Sequence, residues 1–268
     1  MPDSRLLPDW DLDDADGRAG LFTAAAVLAG GALVAAAFPP LAGVAGMPFL
    51  ALGAVWVHER ATRGATRARV EKFLATLEAR DRYTASHCSR VAVFADLIAE
   101  EIGLSDPGRL RNLRVAALLH DLGKLDVPLA ILHKPGKLDD EEWAAMRTHV
   151  ERGTDRASCL AEAVCRIIAE HHERPDGRGY PRKLRGDAIC LEARIVAVAD
   201  AFDAMTSNRP YRRARDPRWA MDELRRSAGS RPGGEQFDPT VVEAFARRFA
   251  EVAALCTAES ATHASPLG

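Results

Sequence analysis

His87, His120, Asp121, His149, His171, His172 and Asp200 are far apart in the chain, yet each lies in or directly beside a stretch whose apolar residues recur with the helical period. Such a chain must fold as packed helices that turn ligand-type side chains toward their own core. The segment Arg114 to Lys124 reads RVAALLHDLGK, with Val115, Leu118, Leu119 and Leu122 at helical spacing. That spacing predicts one helix carrying His120 and Asp121 beside a buried stripe, with Lys124 on the same helix face. From Ala161 to His172, Val164, Ile167, Ile168 and His171 fall at i, i+3, i+4 and i+7, so His171 is expected to point inward. Asp200 sits in RIVAVADAFDAM, where a lone ionised carboxylate would cost several kcal/mol or become neutral, so it requires a partner. His149 follows a helix start at Asp139 with Glu142 three residues on, a capping-box pattern, and the expected buried side is Trp143, Met146 and Val150. His87 lies between DRYTAS and the amphipathic run RVAVFADLIAEEIGL.

Imidazoles and carboxylates suit iron, manganese or zinc, and no cysteine pair stands beside them to indicate a structural zinc site. A carboxylate such as Asp121 can give one oxygen to each of two ions while histidines fill the remaining positions. Two ions roughly 3.5–4 Å apart can hold a phosphodiester and generate hydroxide near neutral pH. Lys124 is placed to meet a phosphate oxygen. A single histidine on an apolar helix is more often a satisfied core residue, and Lys124 alone reads as a solvated cation at a helix end. The conjunction outweighs these alternatives: five of the 8 histidines fall in such contexts, leaving His58, His133 and His263 elsewhere.

HDLGK at 120–124, HHERPDGRGYP at 171–181 and ARIVAVADAFDAMTSNRPYR at 193–212 resemble the HD-GYP domain of bacterial cyclic-di-GMP phosphodiesterases. DRYTASHCSRV at 81–91, HKPGKLDDEEWAAMRTHVERG at 133–153 and FDPTVVEAF at 237–245 extend the likeness. The resemblance implies an all-α HD-domain helical bundle over residues 75–250. It also implies a site for two divalent ions, iron or manganese, ligated by His87, His120, Asp121, His149, His171, His172 and Asp200. Asp121 would bridge the ions and Lys124 would steady the scissile phosphate, and these two are the expected catalytic residues. Arg209, Arg212 and Tyr180 would join Lys124 in binding a cyclic dinucleotide. Some family members carry a glutamate four residues before the first histidine and hold a third metal, but Tyr83 stands there in this chain. Lys183 replaces a usual glycine and Cys190 a usual proline, which bears on the loop's conformation. Another cyclic dinucleotide or nucleotide substrate, or a nucleotide receptor without turnover, remains open at this level.

The rest of the chain adds an appendage. Residues 21–57 contain no charged side chain and are interrupted by Pro39 and Pro40, which predicts a two-helix membrane hairpin, with a buried soluble helix pair as the alternative. The acidic segment 1–20 argues against a secretory signal. Arg60, Arg63, Arg67 and Arg69 after the hairpin favour a cytoplasmic catalytic domain on a bacterial inner membrane. Residues 58–74 read as a helical linker, and a homodimer through it or the hairpin is one arrangement the pattern allows. A net charge of -2 disfavours polymeric nucleic acid as a partner. Scattered cysteines, 5 in number, suit a reducing compartment. From Glu251 the helical pattern fades, and 251–268 is expected to be an unstructured tail.

Overall fold

A computed structural model describes residues 64–208, 213–229 and 235–263. The described residues from Phe73 onward form one compact unit, and 64–72 belong to a second. Every regular element among them is helical. Helix α1 covers 64–80 and is followed by α2 (Arg82–Ile102) and α3 (Pro107–Leu119). Next come α4 (Asp140–Arg156), α5 (Glu162–Glu170) and α6 (Leu191–Thr206). The last three are α7 (Pro217–Ala228), α8 (Pro239–Arg247) and α9 (Phe249–His263).

Local chemistry fixes the helix starts. In α3, α7 and α8 an aspartate cap precedes proline, with Asp106, Asp216 and Asp238 accepting backbone N–H groups of the first turn. Proline loses nothing there, because its missing donor would have been unpaired. The expected capping box is present in both halves: Glu142 N–H donates to Asp139, and Asp139 N–H donates to Glu142. Gly103 closes α2 in the left-handed conformation with φ 81°.

Helix α2 packs along α3 and α6 and receives α8, while α5 links α3 to α4. Phe94, Phe202 and Phe245, one each from α2, α6 and α8, meet at ring distances of 5.0 to 5.8 Å and form the aromatic heart of the core. Asp200 and Asp203 lie on α6 beside this cluster, so its packing sets their position. On the other side, α4 lies against the 3₁₀ turn Leu122–Asp126 at very close range. A Cβ on Gly123 would run into the His149 carbonyl and the Gly153 amide nitrogen. Only glycine allows that approach, which brings His149 of α4 up to His120 and Asp121.

Four expectations need correction or qualification. The helix through RVAALLHDLGK stops at Leu119, and Lys124 belongs to the 3₁₀ turn rather than to a shared helix face; the turn is what lets Gly123 reach α4. Trp143 is 46 % exposed, whereas Val150 is fully buried, so the buried face of α4 is rotated away from its first turn. The chain beyond Glu251 remains helical to His263, because the alanine-rich sequence favours helix even with little amphipathy. The hairpin 21–57 lies outside the described residues, and among those residues no helix is long and apolar enough to cross a membrane.

Replacing Gly123 by alanine should therefore destabilise the fold by about 2–3 kcal/mol through overpacking against α4. Urea unfolding monitored by circular dichroism measures this, and a matched Gly64→Ala change, which meets open space, should have little effect.

Candidate metal and phosphodiester site

The seven sequence-singled residues come together. His87 enters from α2, His120 and Asp121 from the end of α3, His149 from α4, His171 and His172 from the end of α5, and Asp200 from α6. His87, His120, Asp121, His149 and His171 are all at most 2 % exposed. Six of the seven fall into two groups of donor atoms, with His149, His171 and His172 within 4.8 Å of one another and likewise His87, His120 and Asp200, while Asp121 groups with His120 and the buried Cys88. Asp121 stands between the groups. Its Oδ1 is 3.7 Å from His149 Nε2, and its Oδ2 is 3.4 Å from His120 Nε2 and 3.7 Å from His87 Nε2.

Three histidines are oriented by their own helices. The Nδ1 atoms of His120, His149 and His171 lie 2.8, 2.6 and 2.6 Å from the carbonyl oxygens three residues back, those of Ala117, Met146 and Ile168. Donation to a carbonyl requires hydrogen on Nδ1, which leaves Nε2 as a lone pair in the neutral ring. All three Nε2 atoms are buried without a hydrogen-bond partner. Buried ring nitrogens without a partner, two of them 3.4 and 3.7 Å from the Asp121 carboxylate, fit divalent cations, with the other ring nitrogen fixed as metal-binding histidines require. His120 and His171 also cap the C-terminal ends of α3 and α5, so two negative helix ends converge on the same space.

The electrostatics of the metal-free cluster divide: burial opposes protonation of His120, but the Asp121 carboxylate prevails and raises it well above the usual imidazole range, whereas the histidines of the other group are lowered. Burial lowers the basicity of His149, and it drives His171 well below the usual imidazole range and His172 to about 3, with neighbouring histidines adding to the effect for the last two. These rings are neutral at physiological pH. Burial alone would raise the Asp121 carboxyl, but Lys124 and His120 outweigh it and hold the group well below the usual carboxylate range. Lys124 Nζ lies 2.5 Å from Asp121 Oδ2, so the expected phosphate contact pairs with the carboxylate in this structure.

Asp203, absent from the sequence reading, is the site's main addition. It is 1 % exposed; one oxygen lies 2.6 Å from His87 Nδ1, and it accepts a two-pronged contact from Arg90 at 2.6 and 3.0 Å. Asp203 follows Asp200 by three residues, which places both on one face of α6, and that spacing was the available signal. Burial opposes protonation of His87, but its contacts with Asp200 and Asp203 prevail and raise it to about 9. Tyr83, where a third-metal ligand would stand, lies with its ring parallel to His87 at 6.3 Å.

The loop bearing Gly179, Tyr180 and Pro181 is built on two buried glutamates that were also missed. Glu173 accepts the Arg182 and Leu184 amides, and Glu170 accepts the Arg166 and Arg182 side chains and the Cys190 amide. The Cys190 N–H, which a proline would lack, donates at 2.7 Å. Lys183 takes the left-handed conformation with φ 57°, which explains the resemblance to a glycine position. A Cβ on Gly179 would collide with the backbone of 172–174, so that glycine permits the loop to fold back. The Tyr180 ring then lies 4.8 Å from that of His172, which places it at the edge of the site. Arg209 and Arg212 lie outside the described residues.

Comparison with known proteins places this arrangement. A match to the HD domain family spans residues 63–241. The chain belongs to that family. Within it, the chain carries the HD-GYP pattern and is 39% identical over 204 residues to the cyclic di-GMP phosphodiesterase response regulator RpfG of Xanthomonas campestris, covering 75% of this chain and 52% of the relative. It is 48% identical over 147 residues to 3'3'-cGAMP-specific phosphodiesterase 3 of Vibrio cholerae, covering 54% of this chain and 32% of the relative. The matched regions thus span about a third to a half of these relatives. Among solved structures, the fold is similar to Bd1817, an HDG"Y"P protein from Bdellovibrio bacteriovorus, with a TM-score of 0.50 at 22% identity over 60% of this chain and 51% of the other.

The His87 contacts set a pH dependence for the metal-free protein. Its folded value of about 9 lies above the unfolded value near 6.5, so the stabilisation is fully present below about pH 6.5 and is lost as pH rises through 9. Urea unfolding in excess chelator should show stability falling between these limits, with His87 contributing on the order of 3 kcal/mol and His120, raised by Asp121, adding in the same direction. Metal loading should remove most of that slope.

Proposed function

We propose that this chain is a metal-dependent phosphodiesterase that hydrolyses cyclic-di-GMP to pGpG, GMP or both. The observation that carries the reading is the Asp121 carboxylate, which presents Oδ1 to His149 Nε2 and Oδ2 to His120 Nε2, two buried ring nitrogens without a hydrogen-bond partner that belong to different histidine groups. His149, His171 and His172 would hold one ion, and His87, His120 and Asp200 the other, with Asp121 shared. Ions held there, iron or manganese by donor type, would supply a hydroxide nucleophile near neutral pH and offset the negative charge of the phosphodiester.

The chain's own residues do the rest. Lys124, held at Asp121, would turn its ammonium to a phosphate oxygen with the carboxylate engaged by cations. Asp203 fixes the ring of His87 and, by accepting at Nδ1, directs Nε2 to the site. Tyr180 covers His172 and borders the substrate's path. Arg209 and Arg212 complete the proposed substrate contacts. Relatives named for cyclic-di-GMP and for 3'3'-cGAMP support a cyclic dinucleotide as substrate class and favour the second compound as the rival.

Full-length protein purified anaerobically should carry about two metals per chain and release linear product from cyclic-di-GMP. Asp121→Ala should lower metal content and reduce kcat by at least about a thousandfold, as loss of a central charge-bearing group does. Metal-loaded wild type that binds the nucleotide without turnover would mark a receptor instead.

The same proposal places the protein on a bacterial inner membrane through residues 21–57, with the catalytic unit cytoplasmic. The support is the uncharged run and the arginines that follow it. Full-length protein should sediment with membranes through alkaline carbonate washing and be released only by detergent. Recovery in the soluble fraction would remove the anchor from the proposal.

A further inference from the structure

A row of flat groups leads away from the metal-ligand cluster, and the mechanism above leaves its outer half unused. The Tyr180 ring lies 4.8 Å from that of His172, tilted by 30°. The Arg147 guanidinium lies 5.2 Å from the Tyr180 ring and 5.9 Å from the Trp143 ring. Arg147 and Trp143 are one helical turn apart on α4, and both are exposed. Four other arginines of this region are committed to carboxylates: Arg156 to Asp126, Arg166 and Arg182 to Glu170, and Arg174 to Asp176. Among the described residues, no carboxylate pairs with Arg147. A large flat ring left 46 % exposed thus stands beside a guanidinium whose donors are not taken by a carboxylate.

We infer that Trp143 and Arg147 form a guanine subsite for the cyclic dinucleotide, and that Arg147 determines purine specificity. The inference rests on the phosphodiesterase reading for the substrate class. The row runs from His172 to Tyr180 and on to Arg147 in steps of 4.8 and 5.2 Å, which sets this wall on the side of the cluster where a base flanking the phosphodiester would lie. The indole offers a stacking face that accepts any base. The guanidinium fork, steadied between two rings, presents paired N–H donors that match the O6 and N7 acceptors of guanine, whereas adenine shows a donor at N6. Shape and donor pattern thus favour a purine with two adjacent acceptors.

Metal-loaded full-length protein and its Arg147→Ala, Arg147→Lys, Trp143→Ala and Trp143→Phe variants test this with cyclic-di-GMP, cyclic-di-AMP and bis(p-nitrophenyl) phosphate, which has no base. In Arg147→Ala and Arg147→Lys the preference for cyclic-di-GMP over cyclic-di-AMP should fall about tenfold or more. In Trp143→Ala the ratio of kcat/KM for either dinucleotide to that for the base-free diester should fall about tenfold, and Trp143→Phe should restore most of it. Metal content and melting temperature identify a variant whose fold is damaged, and for such a variant the phenylalanine or lysine replacement supplies the result. Unchanged ratios in all variants overturn the subsite while leaving the phosphodiesterase reading intact. Indole fluorescence quenched by cyclic-di-GMP in wild type but not in Trp143→Phe, with no turnover of any diester, supports the subsite and overturns the phosphodiesterase reading.

Discussion

A carboxylate that is almost fully buried and still ionised is the constraint on which this structure depends. Asp121 is cut off from bulk solvent, so the surrounding helices must supply compensation from several directions. His120 follows the end of α3, His149 is brought in by α4, and Lys124 turns back from the adjoining 3₁₀ turn. Each contact needs a different element to arrive at one point. The close packing of Gly123 against α4 is the geometric price of that convergence. An apolar core with the same helices would be easier to pack, which is why such a cluster signals chemistry rather than stability.

Around this centre, order is passed outward by polar groups that never reach the candidate metal positions. The histidines are aimed by carbonyls of their own helices or, for His87, by Asp203, which is in turn clamped by Arg90. Beyond α5, Glu170 and Glu173 gather the amides and arginines of the loop, so the chain returns with Tyr180 against His172. The loop and the cluster are thus connected through the end of a single helix. A change at either glutamate acts on the site by moving His171 and His172 rather than by touching substrate.

Much of the site was legible because the helical period and ligand chemistry agree. His171 points inward as its spacing required, and Asp200 has the partner its apolar surroundings demanded, with His87 Nε2 at 3.1 Å. The capping box at Asp139 and Glu142 was equally readable because it is closed within four residues. Trp143 was misread because apolar periodicity records which residues share a face, and this tryptophan lies at the edge of the face where α4 leaves its neighbours. Asp203, Glu170 and Glu173 were overlooked because a buried acid whose partners are distant in sequence looks the same as one at the surface.

By itself the sequence determined the helical class, the capped helix starts and the set of ligand-type residues, because these follow from propensity, spacing and donor chemistry over short ranges. Tertiary structure decided which histidines share a group, that Asp121 lies between them, and that Lys124 sits in a turn rather than on a helix. It also decided that Arg147 is held between Tyr180 and Trp143. These are distances between side chains from separate helices, and they are set by how closely backbones can approach, as at Gly123 and Gly179, which no local pattern encodes.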